Sequence, residues 1–525
     1  MKNWAIIAIL SIFISLYYFA LGLMFISADY YNPESFFLIE KGLLALKGNP
    51  PRLENIGLIY PPIPFFVLFP FVFINPIVAP IFASSLTMGL LTAFITYRIL
   101  KKKISFIFII FMLLILLFNP VILYTGSSGS SAYLYLTFLT LFYLFIFEYY
   151  ERNVSFYLAI SGVFIGVLVF IRYEIIFILI FWLFVNAILT IETTLEEGVS
   201  YRNFFELLRK LPAYRQTFIR RLFAVYLMIF IPPVSGFLFW CYLNWLFTSN
   251  PFHFINSPYS YFRTLSTYVL YNPSLIEFKG NAFKSVLYVL NEILIYMPAY
   301  IVLIFVFTRR LFFSLALIAP IVALSITAYL GLSLMNVDFY APFILIALVT
   351  MIYACEEEPS LRKSLVMAVF LVLILFSFFS GYYKLKNSFY PEERNFARTL
   401  LGGNPDRFFF EEKKVAEFLK RNVSLNDIIL MDDATGFPII VFYGNPKNFI
   451  LPYQYEFASV VERPEVYADY VIVYNPEKFE GKRDLINQRH QNLFYSGSKE
   501  LLLVYSSSNW RIFKSTYRRR AITEK

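Results

Sequence analysis

ADYYNPESFFLIEKGLLALKGNPPRLENIGLIYPPIP, residues 28–64, is the stretch from which the rest of the chain is read. It begins where the first hydrophobic run, Trp4 to Ile26, stops, and that run is about long enough to cross a bilayer. The acids Asp29 and Glu34 come at once, and basic residues, among them Lys41 and Arg52, and a cluster of Tyr and Phe share the stretch. A plain connector between two spans would be shorter and blander. Glu34 follows Asn32-Pro33 and reads as a first-turn helix acid. The next apolar run, Ile63 to Ile74, is too short and too rich in proline for a straight span, so an interfacial or re-entrant segment is expected. The first run has no small-x-small cleavage site and reads as an anchor.

Composition agrees with a membrane setting. The 525 residues are 59% hydrophobic and 15% charged, against about 25% charged in an average soluble domain. The net charge of +10 does not point to nucleic acid, because the basic residues cluster in short runs between apolar segments, as positive-inside topology requires. The two cysteines, Cys241 and Cys355, fit neither zinc spacing nor a disulfide framework, and two His leave little for a His-built metal site.

Further spans are expected at 77–100, 104–119, 128–147, 155–171, 175–191, 222–248, 286–307, 311–333, 340–354 and 364–382. With the N-terminus and Lys101-Lys102-Lys103 inside, alternation also puts Arg152, the segment Arg202 to Arg221, Arg309-Arg310 and Arg362-Lys363 inside. The outer face then collects the Asp29 loop, Thr125 to Ser131 (TGSSGSS, read as an outside turn), Arg172-Tyr173-Glu174, the loop Ser249 to Ser285, and Asn336 to Tyr340. The fold class expected is an α-helical polytopic membrane domain of about eleven transmembrane helices, 1–382, with juxtamembrane helices in its first outside loop. A small soluble α/β domain, 383–525, follows. In it EEKKVAEFLKR (411–421) carries acids in its first turn and bases in its last. DIILM (427–431) and YVIVY (470–474) read as buried strands, and 501–505 with 510–513 as a hairpin.

Several residues are candidates for chemistry. Asp29 stands at the outer end of a span, where a carboxylate is partly desolvated yet reaches a water-facing substrate and can take a proton from a hydroxyl; the plain alternative is a solvated loop acid. Arg172 and Glu174 interrupt what would otherwise be one hydrophobic run. They are either a local ion pair at a turn or a guanidinium site for a lipid-linked phosphate. Lys41, Arg52, Arg263 and Lys279 compete for the phosphate role. His253 is more often a bystander in such a loop than a ligand or base. Asp338, the one weak candidate metal ligand, would have to act with Asp29, so a divalent metal has little support and no cofactor is implied. Asp432-Asp433 reads as a strand-end turn, and Tyr30, Tyr31 and Tyr60 as platforms for sugar faces. No Walker loop, no GxGxxG after a strand and no DxD in the tail is present, so no nucleotide donor is indicated.

These elements together resemble the GT-C superfamily of polyprenyl-phosphate-sugar-dependent glycosyltransferases, in particular relatives of the protein O-mannosyltransferases and the lipid A aminoarabinose transferases. The resemblance rests on Asp29 after the first span, the GLLALKGNPP turn (42–51), Tyr60-Pro61-Pro62, Asn119-Pro120, Arg172-x-Glu174, Ser249-Asn250-Pro251 and Tyr340-x-Pro342. The chain departs from it at Tyr173, where relatives often have proline, and at Phe339, where they often have arginine.

The resemblance implies an inverting transferase that moves a monosaccharide from a polyprenyl phosphate to a hydroxyl of a protein, lipid or glycan acceptor. Transfer would occur on the outer face of the cytoplasmic membrane, with the tail domain outside too. Asp29 would act as base or orienting acid, and Glu34, Lys41, Arg52, Tyr60, Arg172, Glu174, His253 and Tyr340 would contact substrate. The rivals are a lipid or glycan transporter or flippase, a non-catalytic assembly protein, and a ligase moving a whole glycan from a diphosphate lipid.

Overall fold

A computed structural model of the chain describes residues 2–102, 105–195, 201–257, 260, 274–306, 310–354, 360–478 and 480–517. Lys103, Arg263, Arg309 and Cys355 lie outside them, as do the side chains of Arg362 and Lys363. The chain forms two compact units. One comprises Met1–Ala28, Ile59–Pro64 and Ile81–Pro405; the other comprises Asp29–Leu58, Phe65–Pro80 and Asp406–Lys525. The single cut expected at 382/383 falls inside the Ser360–Lys386 helix, and the division is discontinuous in sequence.

The first unit is helical. Its elements are α1 (Lys2–Ser27) and, beyond the short α2 (Pro33–Lys47) and α3 (Ile63–Val72), which fall wholly or mostly in the other unit, α4 (Ala79–Lys101), α5 (Ile107–Phe118), α6 (Pro120–Ser127), α7 (Ala132–Arg152), α8 (Ser155–Val169), α9 (Ile175–Thr194), α10 (Tyr201–Lys210) and α11 (Pro212–Thr248). Among the described residues seven helices are long and apolar enough to cross a membrane, or nine if each of two bent pairs counts as one span. The protein is thus a helical, multi-pass membrane protein.

Every expected span coincides with a helix, but the one at 286–307 is broken inside and the one at 104–119 stops at a break. α5 and α6 meet at 66°, and Ala282–Tyr296 meets Pro298–Val306 at 104°. Both breaks are proline-made. At the first, Asn119 accepts from the Val121 and Ile122 amides and Pro120 starts a new helix without a donor to lose. The spans expected at 104–119 and 286–307 are therefore not straight crossings. In TGSSGSS the turn is shorter than expected: Thr125 to Ser127 finish α6, Ser128 to Ser131 form the turn, and all seven residues are buried.

Small residues let two of the helices touch. A Cβ on Gly162 of α8 would lie 1.9 Å from the Met228 carbonyl oxygen of α11, and one on Gly166 would lie 2.9 Å from the Pro232 ring. Backbones this close exclude any side chain.

The two ends of this unit differ in chemistry. At one end, Arg98 reaches Glu148 at 2.7 Å, Arg152 also pairs with Glu148, and Lys102 pairs with Glu151. Tyr353 donates to Glu148 as well, at 3.1 Å. Nearby on the same helix end, Tyr150 donates to Glu192 at 2.9 Å, Arg310 stacks over Tyr150, and Arg221 donates to Asn153. Basic residues far apart in sequence are thus gathered at the C-terminal end of α7. α7 has 21 residues, so its other end lies about 30 Å away.

The second unit holds a five-stranded mixed sheet: β1 (Ile429–Leu430), β2 (Phe449–Ile450), β3 (Tyr470–Tyr474), β4 (Leu501–Ser506) and β5 (Trp510–Ser515), ordered β2-β1-β3-β5-β4. β1 runs parallel to β2 and β3, while β5 is antiparallel to β3 and β4. The expected strands and hairpin are present, and 411–421 lies in the Phe410–Asn422 helix. Glu411 accepts from Ser507 and from the Asn509 amide, and Glu412 takes the Trp510 indole N–H at 2.9 Å, which fixes that helix across the hairpin turn. α2 belongs to this unit. Phe36 packs on Phe442 and Phe409, with ring centroids 5.0 and 5.3 Å apart.

Replacing Gly162 by Leu should cost about 1–3 kcal/mol through overpacking of α8 on α11. A thermal unfolding midpoint in detergent equal to that of the unmodified protein would show that the close approach is not needed.

Candidate functional site

The N-terminal end of α7 is where the helical unit gathers its remaining polar groups. Arg172, in the turn between α8 and α9, points a nitrogen at Asp338 Oδ2, 3.6 Å away, and its guanidinium covers the Phe339 ring at 4.3 Å and the Tyr135 ring at 5.5 Å. A planar cation stacked on aromatics and paired with a carboxylate is held in one orientation. That carboxylate, Asp338, comes from a segment far along the chain. Glu174, directly before α9, is buried beside Arg172.

The neighbouring Tyr173 ties other expected segments to this turn. Its hydroxyl donates to the Ile59 carbonyl at 3.0 Å, next to Tyr60, and receives the Trp240 indole N–H at 3.0 Å. Its ring packs on Phe254, next to His253, at 5.2 Å, and the Ile63 amide donates to the Phe170 carbonyl. Burial lowers the pKa of His253, so its ring favours the neutral form. Tyr340 is fully buried and stacks on Tyr296 at 5.4 Å, away from solvent.

A cavity of 260 Å³ opens beside Asp338, lined by Asn336 and Val337 together with Tyr288, Glu292, Tyr296, Lys384, Tyr390 and Glu393 among others. Asn336 donates to Asp338 at 3.0 Å. Glu393 accepts from the Val337 amide at 2.9 Å, and burial pushes its carboxyl up to about 8, which favours the protonated form. Lys384 pairs with Glu292 at 2.5 Å. Sequence reasoning missed these three. An acid inside an otherwise apolar run was the available signal for Glu292; Glu393, in a polar run, gave none. The exit of α1 lies at this end too, because Phe25 stacks on Phe396 of the Pro391–Leu400 helix at 4.5 Å.

The second unit carries Asp29, Glu34, Lys41 and Arg52. Asp29 has φ 58°, a left-handed conformation uncommon for a non-glycine residue. Its Oδ1 accepts from Lys413 at 3.0 Å and from Tyr31 at 3.2 Å, and the Lys413 ammonium holds its carboxyl below the usual carboxylate range. Asp29 is half-exposed and ionised. Glu34 is in the first turn of α2, capped by Asn32, as expected.

Lys41 is not available to a ligand. Its ammonium sits 2.5 Å from Asp433 and 3.4 Å from the buried Glu40, against the Tyr453 ring. Arg52 is exposed and flanks a short 3-10 turn. Asp432 lies just past the end of β1, as expected, where it caps the Asp433–Tyr443 helix and accepts from the Leu485 amide. Among the described residues no group of three or more His, Cys, Asp or Glu is placed to hold a metal ion. No protein-family model matches the chain, and no curated protein matches it either.

Burial pushes the Glu40 carboxyl up to about 8, the nearby Lys41 opposing this in part. Between its unfolded value of 4.5 and about 8, the folded chain therefore holds a proton that the unfolded chain has lost. The docking of α2 should weaken as pH rises through that window and level off above it. Amide exchange of α2, corrected for intrinsic rates, should show this slope, and Glu40→Gln should flatten it.

Proposed function

We propose that this protein is an inverting glycosyltransferase that moves a monosaccharide from a polyprenyl phosphate to an acceptor hydroxyl at the outer face of the cytoplasmic membrane. The observation that carries the reading is the convergence at one end of the helical unit. There the Tyr60 segment, Arg172, the His253 segment, Asp338 and the exit of α1 are joined by side-chain contacts, about 30 Å from the basic network. Positive-inside topology assigns the basic end to the cytoplasm and the polar end to the outside. We read eleven crossings, counting α8, the helix Ala341–Ala354 and each bent pair as spans, with α3 lying at the interface.

In the proposed step the acceptor oxygen attacks C1 of the sugar, and the bond from C1 to the phosphate oxygen breaks. The electron pair leaves with the phosphate, and the acceptor proton passes to Asp29. A single displacement inverts C1. Arg172, fixed by Asp338 and Phe339, supplies positive charge for the departing phosphate. Lys413 keeps Asp29 ionised and weakly basic, which suits a carboxylate that orients the hydroxyl first and takes its proton late. The cavity beside Glu393 is the proposed seat of a polar head group.

The two broken helix pairs and the Glu292–Lys384 pair favour the transporter reading, since transporters use discontinuous helices and intramembrane charges. Purified protein incubated with a panel of polyprenyl-phosphate sugars separates the two, because only a transferase releases lipid phosphate. Asp29→Asn should lower that release about 10²–10⁴-fold with lipid binding retained. Lys413→Gln should shift the acid limb of the pH profile upward, because Asp29 loses the ammonium that holds its pKa down. Unchanged turnover of Asp29→Asn would reject the mechanism.

A further inference from the structure

The proposed reaction leaves α10 and the first turns of α11 unexplained. Residues 201–221 carry six cations (Arg202, Arg209, Lys210, Arg215, Arg220 and Arg221) and one acid, Glu206. α10 is amphipathic in an unusual sense. One face, Phe204 with Leu207 and Leu208, turns inward, and Phe204 is fully buried against Tyr214 and Phe218 at 5.9 and 5.3 Å. The opposite face places Arg202, Phe205 and Arg209 at i, i+3 and i+7, all exposed, with Phe205 58% accessible. Leu211, which links the two helices, is also exposed.

The position of this face says what covers it. α9 and α11 are both long enough to cross a membrane, so the short helix between them lies at the bilayer surface. α11 has 37 residues, about 55 Å, and its basic first turns extend beyond a hydrocarbon core of about 30 Å. Tyr201 donates to Glu192 near the end of α9, and Arg221 donates to Asn153 just past α7, which anchors the segment at the basic end of the helical unit. An outward stripe that alternates guanidinium and aromatic groups at that level matches the phosphate and acyl boundary of an anionic leaflet.

We propose that α10 and the first turns of α11 form an in-plane binding surface for anionic phospholipid head groups. Arg202, Arg209, Lys210 and Arg215 contact lipid phosphates, and Phe205 and Leu211 enter the acyl boundary. The proposal is independent of the transferase reading.

The test uses the full-length protein in mild detergent, titrated with phosphatidylglycerol or phosphatidylcholine and followed by native mass spectrometry. Wild type should hold phosphatidylglycerol in preference, and 0.5 M salt should weaken that preference by screening. Arg202→Gln/Arg209→Gln/Lys210→Gln/Arg215→Gln should lower phosphatidylglycerol affinity by at least about tenfold and leave phosphatidylcholine unchanged. Arg202→Lys/Arg209→Lys/Arg215→Lys should keep the preference, which separates charge from folding. A glutamine variant with wild-type preference would overturn the proposal. So would a wild type that holds both lipids equally, or that retains a soluble polyanion such as heparin in their place.

Discussion

Arg172 is a charge at a helix turn that has no cheap way to remain unpaired. Asp338 and the Phe339 ring satisfy it from a segment far along the chain, and that one pairing locks the α8–α9 turn to the start of the Ala341–Ala354 helix. Tyr173 then extends the lock to Ile59 and Phe254 through a hydrogen bond and a ring contact. Four connections that are remote in sequence become one polar surface. The aromatic cover matters as much as the charge, because a guanidinium stacked on Phe339 and Tyr135 loses rotational freedom before any ligand arrives.

The opposite end follows the same rule with more members. Glu148 is fully buried and draws Arg98, Arg152 and the Tyr353 hydroxyl, so three helices end in one ionic knot. Removing one partner would leave charge uncompensated, and it is this penalty that ties the helix ends together. Between the two polar ends α7 is almost wholly buried, in keeping with its role as the central post.

How much of this could be read in advance depends on the range of the interaction. Hydropathy is local, so every span was visible as an apolar run, and the acids and bases at the two ends of 411–421 placed a helix there. The bends were half visible: Asn119-Pro120 carries both a cap and a helix start, but a run such as 286–307 does not announce that Pro298 will turn it by 104°. The partners of Arg172 and Lys41 were out of reach. Asp338 and Asp433 are acids like any other until the fold brings them close, and nothing in Glu393 marks it as buried. α2 misled most. Its aromatic and charged residues suggested an open face for substrate, whereas Phe36, Glu40 and Lys41 are spent on packing against the Asp433–Tyr443 helix.

That packing has a topological price. Residues 29–58 and 406–517 build one compact unit, so both must lie on the same side of the bilayer, and the chain between them must cross it an even number of times. Among the described residues, setting α1 aside, the seven long helices leave six crossings and the larger reckoning of nine leaves eight, so parity holds either way. A ribosome makes α2 hundreds of residues before its partner helix, Asp433–Tyr443. In the interval the helix waits with Phe36 and Glu40 uncovered, and the unit closes only after the last span has been threaded.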